Sequence, residues 1–81
     1  MVHKYDPLAE RLSGSAADRL TLTFAELDDL VGGLPASARS YAAWWANERQ
    51  PRHVQAQAWL GAGYRVDEAI LDRHVVFLRD R

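Results

Sequence analysis

Thr23-Phe24-Ala25-Glu26, with Gly32-Gly33 a few residues further on, constrains this chain more than any other feature. A cap threonine and a glutamate three residues later satisfy each other's backbone N–H groups, the reciprocal arrangement that starts a helix. Phe24, Leu27, Leu30 and Val31 then recur at helical spacing, while Asp28 and Asp29 fall on the opposite, solvated face. Glycine adopts the left-handed conformation at little cost, so Gly32-Gly33 predicts the stop. Just upstream, Leu20-Thr21-Leu22-Thr23 alternates apolar and β-branched residues and predicts a short strand running into that helix.

The same local logic divides the rest of the chain. Asp6-Pro7 predicts an N-cap and first helical position, with Leu8 and Leu12 on one face and Tyr5 just ahead. Ser13-Gly14-Ser15 ends that helix, and a loop through Asp18 leads to the strand. Leu34-Pro35-Ala36-Ser37 opens a third helix, on which Ala38, Tyr41, Ala42 and Trp45 share a face. Asn47 through Arg52 lacks periodicity, and Pro51 disfavours helix for its predecessor, so a polar loop is expected. A fourth helix is expected from about His53 to Leu60, closed by Gly61-Ala62-Gly63. Tyr64, Val66 and Ile70, then Val75, Val76 and Phe77, predict a hairpin turning at Asp72-Arg73, which lacks the glycine that tight hairpin turns favour.

These elements predict an α+β fold of three to four short helices, a C-terminal β-hairpin and a short third strand, in a winged-helix-like order. The length of 81 residues allows one domain, 1–81, and no second core. Apolar residues at 48% and charged ones at 26% lie in the globular range and argue against wholesale disorder. No apolar run nears the ~18 residues of a membrane span, and the first residues lack the apolar stretch of a signal peptide, so a cytoplasmic location is expected. Abundant Ala and Arg suit a bacterial source. Zero cysteines exclude disulfides and thiolate metal sites.

The net charge of −1 conceals a polarity. Residues 36–66 hold Arg39, Arg49, Arg52 and Arg65 against Glu48 alone, a local excess of three positive charges. The preceding 35 residues carry a deficit of three. The basic block also holds all three tryptophans, and cations interleaved with aromatics suit phosphates and bases respectively. Within it, Asn47, Gln55 and Gln57 are side chains able to read adenine edges, while His53 adds a donor or acceptor. Gln55 and Gln57 fit ordinary solvated helix positions equally well, and Asn47 fits a turn. The adjacent Trp44 and Trp45 differ by ~100° on a helix, so they cannot both enter one core. Packing of Trp45 with Tyr41 is expected, leaving Trp44 toward the surface as an anchor for a partner.

No catalytic or cofactor motif is present. The chain has no glycine-rich phosphate loop and no zinc-binding helix, and His3, His53 and His74 are dispersed without ligand spacing. No enzyme activity, metal or cofactor is expected.

Tyr5-Asp6-Pro7-Leu8, Leu22-Thr23-Phe24-Ala25-Glu26, Leu34-Pro35, Ser37-Ala38-Arg39 and Trp44-Trp45-Ala46-Asn47 form a run of motifs covering most of the chain. Continued by His53, Gln55-Ala56, Ala58-Trp59-Leu60 and Ala62-Gly63-Tyr64, this pattern resembles a small bacterial domain family of unknown function. The resemblance implies that family's fold and a shared surface around Arg39, Trp44, Asn47, His53 and Gln55, without supplying an activity. The connection Glu48-Arg49-Gln50-Pro51-Arg52 is longer than that pattern.

Two functions are therefore expected to compete. The first is a nucleic-acid-binding domain, for duplex DNA, using Arg39, Trp44, Asn47, Arg49, Arg52, His53, Gln55, Gln57 and Arg65. The alternative is a protein-interaction or homodimerisation module using an exposed Trp44 face.

Overall fold

The computed structural model describes residues 3–48 and 54–80. Helix α1 (Asp6–Ser13) leads to strand β1 (Arg19–Thr23), helix α2 (Phe24–Val31) and the short helix α3 (Ala36–Ser40). A 3-10 turn at Ala42–Trp45 follows, then helix α4 (Val54–Gly61) and the hairpin of β2 (Tyr64–Ile70) and β3 (His74–Arg79). The fold is thus α+β with a winged-helix-like order. Among the described residues, no helix is long and apolar enough to cross a membrane.

Helix α2 forms as its local signals dictate. The Thr23 hydroxyl accepts from the Glu26 N–H at 3.1 Å, and Glu26 Oε1 accepts from the Thr23 N–H at 3.0 Å. Gly32 takes φ 72° at the C-terminus, a conformation that costs a residue with a Cβ about 1–2 kcal/mol. Helix α1 begins one residue earlier than the Asp6-Pro7 pattern predicts. Tyr5 is its cap, and the Asp6 carboxylate turns back to accept from the His3 N–H at 3.0 Å instead of closing the helix's own first turn.

The three strands form an antiparallel sheet in the order β1-β3-β2. Strand β1 lies against β3 with Leu20 opposite Phe77 and Leu22 opposite Val75. A bulge between Val66 and Glu68 interrupts the β2–β3 register, and Asp72 makes the hairpin turn at φ 62°. Aspartate tolerates that left-handed position better than most residues, which is how a turn without glycine closes here. Helices α1, α2 and α4 supply the other side of the core: α1 packs against both α2 and α4, and α4 against β2. Leu8, Leu12, Leu22, Leu27, Trp59, Tyr64, Val75 and Phe77 are fully buried between the helices and the sheet.

The expected single helix from Ser37 to Trp45 is broken in two. Tyr41 is extended, at φ −128° and ψ 120°, so α3 stops at Ser40 and the chain resumes as the 3-10 turn. An unbroken helix would place Tyr41 and Trp45 on one face. The break separates them: Tyr41 is 65% exposed, whereas Trp45 is 2% exposed and its indole N–H donates to the Ala38 carbonyl at 2.9 Å. The expected Tyr41–Trp45 packing is replaced by Phe24, edge-on at 5.6 Å, and Trp59, stacked at 5.7 Å.

Capping and ion pairing give the fold an acid-sensitive element. The Thr23 N–H and hydroxyl hold the Glu26 carboxyl below the usual carboxylate range. The Leu34 N–H, and then Arg39, do the same for Asp28. A carboxylate whose folded pKa is depressed contributes stability above its unfolded value of about 4, and that contribution is lost as pH falls through the depressed value. The melting temperature is therefore expected to fall on acidification below about pH 4, and the double variant Glu26→Gln/Asp28→Asn should flatten that dependence in thermal melts.

Candidate nucleic-acid interface

The connection from the 3-10 turn to α4 is fastened at both ends. At its start, Asn47 Oδ1 accepts from the Trp59 indole N–H at 2.9 Å and from the Val66 N–H at 2.8 Å. Its amide also donates to the Val66 carbonyl at 2.9 Å. One side chain thus pairs both backbone groups of Val66, as a neighbouring strand would, and holds the buried indole of α4 as well. At the far end, Gln55 is 7% exposed and its amide donates to the Trp44 carbonyl at 3.1 Å. A buried amide requires such a partner, since an unpaired one costs more than the bond returns. Asn47 and Gln55, candidate readers of base edges, are both engaged inside the fold.

Trp44 is half-buried. Its ring lies edge-on to Tyr5 at 5.8 Å and to Trp45 at 4.6 Å, and tilted to Trp59 at 6.4 Å. The 3-10 geometry lets both tryptophans touch one aromatic cluster, Trp45 as its interior and Trp44 as its outer edge. Burial raises the Tyr5 hydroxyl's pKa.

The basic block is partly neutralised by acids from elsewhere in the chain. Arg39 pairs with Asp28 of α2 and with Asp72 at the hairpin turn, and its guanidinium lies 5.7 Å from the centre of the Phe24 ring. Those two carboxylates raise the pKa of Arg39. Asp28 in turn accepts from the Leu34 N–H at 2.8 Å, so it is not the free solvated acid that its helical position suggests. Arg65 lies 3.7 Å from Asp67. Arg49, Arg52 and His53 lie outside the described residues. By sequence, Arg52 is two residues before α4 begins and Arg49 five.

Gln57 is the candidate left open to a partner. Helix α4 buries Gln55, Ala56, Trp59 and Leu60. Val54, Gln57 and Gly61 are exposed and Ala58 half-exposed, the spacing of a single helical face. Beside this face, α1 and α4 enclose a groove of about 460 Å³. Tyr5, Ala9, Val54 and Ala58 line it with apolar surface, and His3, Lys4, Asp6 and Gln57 with polar groups. Sequence reasoning misses Lys4 and Tyr5 as neighbours of α4, because their approach depends on how α1 crosses it. It also misses Arg79, which bonds the Ser15 carbonyl, the Ala17 carbonyl, the Tyr64 hydroxyl and Asp18. No local signal marks either arrangement. Among the described residues, no group of three or more His, Asp or Glu side chains is arranged to hold a metal ion.

A family model described as a domain of unknown function (DUF7662) matches residues 5–81. No curated protein and no solved structure matches the chain.

Proposed function

We propose, for a chain that belongs to the DUF7662 family, a small nucleic-acid-binding domain whose contact surface is the open face of α4 and the basic segment entering it. The observation that carries this reading is the outward stripe of Val54, Gln57, Ala58 and Gly61, on a helix whose other side is anchored in the core. In helix-turn-helix proteins the second of two packed helices enters the major groove. Here α2 and α4 both pack on α1, and α4 is the later of the two in the chain. A helix with its side chains is about 10–12 Å across, a diameter that a major groove about 12 Å wide admits.

Roles follow from chemistry. Gln57 is the candidate for a base edge, with small Ala58 and Gly61 permitting close approach. Lys4, Arg49 and Arg52 are candidates for phosphates, and His53 for either. Asn47, Gln55 and Trp44 act as framework in this reading, holding α4 to the 3-10 turn and β2, while Arg39 ties α2 to the hairpin turn. Arg65, beside Asp67, contributes little net charge. Duplex DNA is the expected partner.

The test is a titration with a pool of short DNA duplexes, followed by tryptophan fluorescence at low and then higher salt. Affinity is expected to fall steeply with salt, and replacing Arg49 and Arg52 by Ala should reduce the salt slope by about 1 for each phosphate that is no longer neutralised. Absence of binding at low salt would refute the reading. One observation favours a protein partner instead: Tyr41 and Val54, at 65% and 55% exposure, are large apolar side chains left in solvent. Concentration-dependent sedimentation, abolished by Val54→Asp, is the outcome expected if that surface meets a second copy.

A further inference from the structure

We propose that the groove between α1 and α4 receives an unpaired nucleotide, so that nucleic acid with an unstacked base is bound in preference to a fully paired duplex. This rests on the nucleic-acid reading and adds a subsite that shares Val54, Gln57 and Ala58 with the α4 face. The groove's volume of about 460 Å³ falls within the ~300–1,000 Å³ usual for small-molecule sites.

Its lining matches the parts of a nucleotide. Tyr5 supplies an aromatic wall, kept in place by the edge-on ring of Trp44 at 5.8 Å. Ala9 on α1 and Ala58 on α4 are small and half-buried, which leaves width between the helices for a flat ring. Gln57 offers a donor and an acceptor to a base edge. Lys4 provides a cation for the phosphate, while the Asp6 carboxylate is engaged by the His3 N–H.

An aromatic wall is of no use to a base inside a duplex. Stacked bases present only their edges in the grooves, and a side-chain ring reaches the π face only once the base is unpaired. Stacking on aromatic side chains is how proteins hold such bases with little sequence preference.

The experiment compares three DNA probes by fluorescence titration at one salt concentration: a short paired duplex, the same duplex carrying one extra unpaired nucleotide, and the single strand. The wild-type domain is expected to bind the duplex with the unpaired nucleotide at least ~10-fold more tightly than the paired one. Ala9→Met fills the groove from α1 and should abolish that preference, so that the extra unpaired nucleotide no longer raises affinity above that of the paired duplex. In parallel, methyl NMR of the wild-type protein with the unpaired probes should show shifts at the Ala9 methyl that the paired duplex does not produce. Those shifts keep the test decisive if the variant fails to fold. Equal affinity for the three probes, with no added methyl shifts, overturns the subsite and leaves the nucleic-acid reading standing. Binding to none of the three overturns both.

Discussion

Replacing Trp59 with Ala will lower the unfolding free energy by about 3–5 kcal/mol, the range for deleting a large aromatic from a core. Trp59 is fully buried. Its ring stacks on Trp45 at 5.7 Å and lies tilted to Phe77 at 6.1 Å, so it joins the 3-10 turn, α4 and β3. A domain of this length has roughly 4–12 kcal/mol of stability in total, so the variant is expected to lose about a quarter of it or more and to melt at a markedly lower temperature. Trp59→Phe keeps an aromatic ring and loses the indole N–H donated to Asn47. Its expected cost is smaller, about 1–3 kcal/mol, because the Asn47 oxygen keeps its second donor, the Val66 N–H. Chemical denaturation followed by circular dichroism measures both. A cost for Trp59→Ala below that of Trp59→Phe would show that the ring does not hold these elements together.

The second large effect is expected at Asn47, a residue that exposure alone would class as expendable. Asn47→Ala strands the Trp59 indole N–H and both backbone groups of Val66, at a cost of about 2–4 kcal/mol. Asn47→Asp retains an oxygen that accepts from Trp59 and from the Val66 N–H, and replaces the donation to the Val66 carbonyl by a contact between two acceptors. It should therefore be less destabilising than Asn47→Ala. Trp59→Phe and Asn47→Ala remove the same bond, so the double variant should fall short of the sum of the single ones. Directly contacting residues couple by ~0.5–3 kcal/mol. Additive costs would contradict the bond.

These predictions recast the polar residues of the basic block. Arg39, Asn47 and Gln55 share the residue types of a base-reading surface, and the fold engages all three in its own bonds. In the proposed nucleic-acid reading, variants of Asn47 or Gln55 would reduce binding simply by loosening α4. Gln57 and Lys4 are the better probes of contact, because α4 holds Gln57 in solvent and α1 brings Lys4 to the same groove. Gln57 was legible as a candidate from its residue type. Its separation from Gln55 was not, because both positions alternate with alanines and only packing distinguishes them.

Most element positions, which are carried by neighbours a few residues apart, were already written in the chain. The capping box and Gly32 delimit α2, Leu8 and Leu12 define the buried face of α1, and the apolar runs around Asp72-Arg73 set the hairpin. These signals are local hydrogen bonds and backbone preferences, and they survive translation into any surrounding fold. Three-dimensional packing chose the partner of β1, the break at Tyr41 that sends Trp45 inward, and the assignment of each polar side chain to the interior or the surface. Those outcomes depend on groups far apart in the chain: Asn47 meets Val66 across 19 positions, Arg39 meets Asp72 across 33, and Arg79 meets Asp18 across 61. An amide or guanidinium has the same chemistry whether it faces water or a buried carbonyl. Its role is set by whichever partner the packed helices and sheet bring within hydrogen-bonding distance.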